Sequence, residues 1–147
     1  MYNIDTLNKF LKDELSATET YQQALDKLKE AAELGNSNSL TPIFEEHKEA
    51  VSSLQSLINR LGGTPVEDSG AWGAWAKIVV GGANLLGKKA TLKALQEGEK
   101  NGAEDYEKAL QETELPLDIR ALIETKLLPA KQEHIRALAR LLETEAA

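Results

Sequence analysis

LTPIFEEHKEAVSSLQSLINRL, residues 40–61, sets Leu40, Phe44, Val51, Leu54, Ile58 and Leu61 in one line at steps of three and four, with His47 standing in the same line. That spacing keeps a single face of a helix apolar for about six turns. Thr41 and Pro42 suit the cap and first turn, Glu45 and Glu46 complement the positive end, and Gly62-Gly63 closes the segment. The stretch therefore reads as one long amphipathic helix, and an imidazole on its apolar line needs a partner or a ligand.

Three further segments repeat the pattern. One helix is predicted from about Asp5 to Leu34, with Leu7, Leu11, Tyr21, Leu25 and Leu28 aligned, Gly35 as its stop and Gly35 to Ser39 as a polar turn. Another spans about Ala90 to Leu110 and aligns Leu92, Leu95, Glu99, Gly102 and Tyr106. Leu115-Pro116 then starts the last helix, whose inner face reads Ile123, Leu127, Ala130 or Lys131, His134, Leu138 and Leu141, with Pro129 predicted to kink it.

No segment alternates as a strand would. Between the second and third helices lies a long connection, Thr64 to Lys89, with an apolar, glycine-rich centre from Ala71 to Leu86. The expected fold is all-α: a four-helix bundle of two antiparallel hairpins, joined by one long crossover that contains a short apolar helix. Trp72, Trp75, Ile78 and Leu85 also allow a minor reading of that crossover as a membrane-surface or lipid-binding helix, too short and too glycine-rich to span a bilayer.

Composition narrows the function classes. A chain of 147 residues predicts one domain over residues 1–147. With 17 basic against 24 acidic residues and a net charge of -7, and without a basic run interleaved with aromatics, no nucleic-acid partner is expected. The lack of cysteine removes disulfides, thiolate metal sites and thiol catalysis. Met1 to Lys9 has no apolar core of a signal peptide, which predicts a cytoplasmic location. No phosphate loop, Ser-His-Asp order or His-Glu-x-x-His run nominates a catalytic residue.

What remains is that each apolar line is interrupted once by an ionisable residue: Glu14, His47, Glu99 and His134. A buried carboxylate must bind a cation, pair with a basic side chain or take up a proton.

The run Leu7-Asn8-Lys9-Phe10-Leu11-Lys12-Asp13-Glu14-Leu15-Ser16-Ala17, followed by Tyr21, resembles the first helix of bacterioferritins and rubrerythrins, and Glu97-Gly98-Glu99 ahead of Tyr106 is similar to the rubrerythrin third helix. The resemblance implies a ferritin-like bundle in which Glu14 and Glu99 match iron ligands. A fuller resemblance, over essentially the whole chain, is to a bacterial domain-of-unknown-function family of ferritin-like bundles. It is carried by Leu61-Gly62-Gly63-Thr64-Pro65, by Gly98-Glu99 with Tyr106, by Leu115-Pro116 with Ile119-Arg120-Ala121-Leu122, and by His134-Ile135-Arg136-Ala137-Leu138.

Di-iron members of that superfamily close their centre with Glu-x-x-His on two helices, whereas Phe44 and Lys131 precede His47 and His134 by three residues here. Counted from the Leu115-Pro116 turn, Glu99, Lys131 and His134 share one level. Counted from Gly62-Gly63, either Phe44 and His47 or Val51 and Leu54 match the second-helix motif, and His47 falls a turn or more from the others. Lys131 is read as an internal cation pairing with Glu14 and Glu99. The resemblance thus implies a degenerate di-iron site, no cofactor, and a non-catalytic structural or partner-binding protein linked to stress or metal homeostasis, forming a homodimer as its family relatives do. Its alternative is a weak or mononuclear iron site built from Glu14, Glu99 and His134, with His47 the lesser candidate, acting as an oxidase or in metal storage.

Overall fold

The computed structural model describes residues 2–30, 34–68 and 88–146, and all regular structure among them is helical. Four rods form the bundle: α1 (Tyr2–Glu30), α2 (Leu34–Arg60), α3 (Lys88–Leu110), and a last rod made of α4 (Leu117–Leu122), a π-helical turn (Ile123–Leu127) and α5 (Leu128–Ala146). None of the described helices is long and apolar enough to cross a membrane.

Two apolar clusters fix the directions of the rods. One joins Leu7 and Leu11 of α1 to Leu54 and Ile58 of α2, Tyr106 and Ala109 of α3, and Ile119 and Ile123 at the start of the last rod. The other joins Tyr21 and Leu25 to Leu40 and Ile43, Leu92 and Leu95, and Leu138. Hence α1 runs antiparallel to α2, and α3 antiparallel to α5, while α2 and α3 point the same way. Consecutive helices that point the same way need a connection running the length of the bundle, as between two antiparallel hairpins. The centre of that connection, where the short apolar helix is expected, lies outside the described residues.

Helix ends follow local chemistry where the sequence was read correctly and tertiary packing where it was not. α2 stops as predicted: Gly62 adopts φ 86°, its N–H donates to Asn59 O at 3.1 Å, and Gly63 N–H donates to Ile58 O at 2.9 Å. This is the paired bonding that a left-handed glycine allows at a helix end. The start of α2 corrects the reading, because the helix begins at Leu34 and takes in both the expected turn, Gly35 to Ser39, and Pro42. Leu40 and Ile43 are buried in the second cluster, so docking of that face outweighs the cap-forming preferences of the preceding residues, and Pro42 is tolerated on an exposed face.

Pro129 acts one turn earlier than a simple kink. Leu128 N–H reaches back five residues to Ile123 O, which opens the helix just before the residue that has no N–H to give. The widened turn also explains the inner line Ile119, Ile123, Leu127, Lys131, His134 and Leu138, all buried. Steps of four drift about 40° each around a regular helix, and the π turn absorbs that drift. Lys131, not Ala130, is the residue brought inward.

The start of the connection is tied to α1 by Asn8, whose amide donates to Thr64 O at 3.1 Å and accepts from Val66 N–H at 2.9 Å. Losing both bonds in Asn8→Ala is expected to cost about 1–2 kcal/mol in urea unfolding. Amide exchange at Val66 should accelerate in the same variant, and an unchanged Val66 rate would refute the staple.

Candidate functional site: a buried ionic centre

Between the two apolar clusters lies a layer of charged side chains cut off from water. Glu14, His47, Glu99, Lys131 and His134 expose 2%, 1%, 0%, 1% and 3% of their surfaces. α1 supplies Glu14 and Tyr21, α2 supplies His47, α3 supplies Glu99 and Tyr106, and α5 supplies Lys131 and His134. Each polar residue interrupts an otherwise apolar helix face, so the four faces that close the core also converge on one polar level.

His47 stands at the middle. Its Nδ1 lies 2.6 Å from Glu14 Oε1 and its Nε2 lies 2.7 Å from Glu99 Oε2. Ionised carboxylates only accept, so both ring nitrogens carry protons and His47 is an imidazolium. Burial and the Lys131 ammonium push its pKa down, but Glu99 and Glu14 outweigh them and raise it from 6.5 to about 9.

The two carboxylates are ionised for the complementary reason. Burial favours the neutral form of Glu14, yet Lys131, His47 and a hydrogen bond from Tyr106 together hold it down at about 2. Glu99 is likewise held well below the usual carboxylate range by His47, Lys131 and His134 against its burial. Lys131 Nζ sits 3.5 Å from Glu14 Oε2 and 3.7 Å from Glu99 Oε1. Burial disfavours that ammonium, but Glu14 and Glu99 keep it charged and raise its pKa. Two buried anions therefore face two buried cations.

Two tyrosines complete the layer by a reciprocal exchange. Tyr21 lies seven residues after Glu14 on α1 and donates to Glu99 Oε2 on α3 at 2.6 Å; Tyr106 lies seven residues after Glu99 and donates to Glu14 Oε2 at 2.5 Å. Burial and the carboxylate each one faces raise both phenols well above their ordinary value. They stay protonated donors.

His134 links the layer to solvent, with Nδ1 3.2 Å from Glu99 Oε1 and Nε2 2.6 Å from Oε1 of Glu46, a half-exposed residue. A cleft of about 330 Å³ opens beside it between α2 and α5, lined by His47, Lys131 and His134 within and by Glu46 and Glu49.

The sequence-derived candidates Glu14, Glu99, Lys131 and His134 thus meet, and the pairing of Lys131 with both carboxylates is present. The expected displacement of His47 by a turn or more is corrected: it lies between Glu14 and Glu99. Its level follows from the antiparallel pairing of α1, described to Glu30, with α2, described from Leu34, since Glu14 and His47 lie at similar distances along the chain from those two ends, rather than from Gly62-Gly63. Three participants were missed as such. Glu46 was read only as a complement to the helix start, whereas the repeated Glu-x6-Tyr spacing in α1 and α3 was a signal for both tyrosines. Gly102 lay on the inner face of α3, and its purpose is spatial: a Cβ there would meet Lys131 Cε at 2.8 Å and Nζ at 2.9 Å.

The fold and centre define an all-helical four-helix bundle with a self-neutralised ionic core. A family profile described as Domain of unknown function (DUF2383) matches residues 3–112, and the chain belongs to that family. Glu14, Tyr21, His47, Glu99, Gly102 and Tyr106 lie inside the matched region, with Lys131 and His134 beyond it. No curated protein and no solved structure matches the chain.

Glycine in a helix interior ordinarily yields about 0.5–1 kcal/mol on replacement by alanine. At Gly102 the added methyl displaces the Lys131 ammonium from its seat, so Gly102→Ala should instead lose about 1–3 kcal/mol by urea unfolding; a stabilised variant would refute the cradle.

The charges also set the pH response. The stability held by Glu14 is present above its ordinary 4.5 and is lost as pH falls toward about 2, while that held by His47 is present below 6.5 and is lost as pH rises through about 9. Thermal melts with a chelator present should give the highest midpoint between about pH 4.5 and 6.5, and a lower one at pH 9. A midpoint that rises from pH 6.5 to 9 would contradict an imidazolium at His47.

Proposed function

We propose that the chain is a ferritin-like bundle whose centre is neutralised by its own side chains, and that it serves as a non-catalytic structural or partner-binding protein rather than as a di-iron oxidase. The observation that carries this reading is Lys131 Nζ lying 3.5 and 3.7 Å from the carboxylates of Glu14 and Glu99. Two iron ions in such a bundle take a glutamate from each of two helices and a Glu-x-x-His from each of the other two. Here Phe44 and Lys131 replace both motif glutamates. Two dications beside an ammonium would face too few carboxylates for charge balance, so the donor set does not suit a di-iron centre.

The same geometry bears on catalysis. His47 is doubly protonated between two acceptors, both tyrosines are held as donors, and Lys131 is held charged. Groups fixed in those states neither take a proton from a substrate nor attack one. They stabilise and orient the bundle.

Tag-free protein from iron-supplemented cells is expected to contain fewer than two iron ions per chain. Lys131→Met leaves two buried carboxylates sharing one cation and should destabilise the fold by about 3–5 kcal/mol. Unchanged stability of Lys131→Met, or stoichiometric di-iron binding by the natural chain, would overturn the reading. A gain of tight iron binding in Lys131→Glu would support it.

A further inference from the structure

We propose that His47 Nε2, Glu99 and His134 Nδ1 form a site for a single divalent first-row transition-metal ion, reached through the cleft between α2 and α5. The inference rests on Lys131 being the permanent internal cation, which leaves charge and space for one ion where two do not fit.

Geometry comes first. The donor atoms of His47, Glu99 and His134 all lie within 4.8 Å of one another. His47 Nε2 is 2.7 Å from Glu99 Oε2, and His134 Nδ1 is 3.2 Å from Glu99 Oε1. Ligand bonds of about 2.0–2.2 Å to nitrogen and oxygen place neighbouring donors about 3 Å apart, so each imidazole already stands within a few tenths of an ångström of the required spacing from Glu99, and the two imidazole donors, within 4.8 Å of one another, reach it by side-chain rotation.

The nitrogens not offered to the ion are already held. His47 Nδ1 lies 2.6 Å from Glu14 Oε1 and His134 Nε2 lies 2.6 Å from Glu46 Oε1. A carboxylate behind each imidazole is the arrangement that orients metal-binding histidines and fixes which nitrogen faces the ion. This pairing recurs on two helices and converges on the same carboxylate, Glu99.

Charge and donor type restrict the ligand. The ion would take the place of the proton between His47 Nε2 and Glu99 Oε2, so that Glu14, Glu99 and Glu46 together balance one dication and the Lys131 ammonium. Two imidazoles and one carboxylate suit zinc, cobalt, nickel or ferrous iron, whereas calcium and magnesium prefer sets made of oxygen. The cleft of about 330 Å³ supplies a path past Glu46 and Glu49 and room for the water that completes coordination.

The test titrates tag-free, chelator-stripped full-length chain with cobalt(II), followed by its visible absorption, and with zinc(II), followed calorimetrically. One ion per chain is expected, with binding abolished in His134→Ala while helical circular dichroism persists. Glu46→Gln keeps all three donors and the buried core, and should weaken binding about 10–100-fold; this second variant decides the matter if His134→Ala does not fold. No bound ion, equal binding by His134→Ala, or unchanged affinity in Glu46→Gln would overturn the site. Two ions per chain would overturn the role given to Lys131 as well, whereas none would leave that role standing.

Discussion

Two ionised carboxylates, Glu14 and Glu99, lie in the middle of an apolar bundle with 2% and 0% of their surfaces exposed. Their charge is the constraint from which the rest of the structure follows. An unpaired buried carboxylate costs several kcal/mol, so the chain must deliver two cations to the same level. It does so from two helices: His47 from α2 bridges both anions through its two ring N–H groups, and Lys131 from α5 pairs with the same two. Tyr21 and Tyr106 then bond the carboxylate oxygens Glu99 Oε2 and Glu14 Oε2.

The pattern of those bonds shows what the polar layer does for the fold. Within each hairpin, α1 packs on α2 and α3 on α5 through long apolar faces, and apolar faces alone permit slippage by a turn. Most of the central bonds cross between the hairpins instead: Tyr21 to Glu99, His47 to Glu99, Tyr106 to Glu14, Lys131 to Glu14 and His134 to Glu46. A one-turn slip would leave two carboxylates buried without their cations. Setting register is the best-attested use of a buried ionic group, and here it couples hairpins that the chain joins only by a long connection.

Much of this was legible in the sequence because burial and charge conflict visibly. Glu14, His47, Glu99 and His134 each interrupt a regular apolar spacing, and helices of this length with Gly62-Gly63 and Leu115-Pro116 as punctuation leave few alternatives to a bundle. The level of His47 was not legible, since a helix pairs with its neighbour in a register set by the shorter connection, and Leu34, expected as the end of the first helix, is instead the start of α2. Nor was Glu46, because a glutamate near a helix start has a sufficient local explanation and its bond to His134 spans 88 residues. The reciprocal tyrosines were within reach: Glu-x6-Tyr on two helices puts each phenol two turns from its own carboxylate and, in an antiparallel pair, opposite the other one.

Lysine at position 131 could not have been accommodated by that substitution alone. A long side chain entering a closed bundle needs space, and Gly102 provides it on the facing helix, where even one methyl would overlap the last carbons of the lysine. It needs direction, which the π turn ahead of Pro129 provides by keeping four-residue steps on the inner face. It needs charge, and here arithmetic decides the character of the centre: one ammonium and one imidazolium match two carboxylates without any exogenous ion. In the ferritin-like reading, moving from glutamate to lysine at one position shifts the local charge by two units, which is the charge of one metal ion. On that reading the lysine stands in for an ion as well as for a ligand, and its 3.5 and 3.7 Å approaches to Glu14 and Glu99 supply the charge that the two carboxylates require.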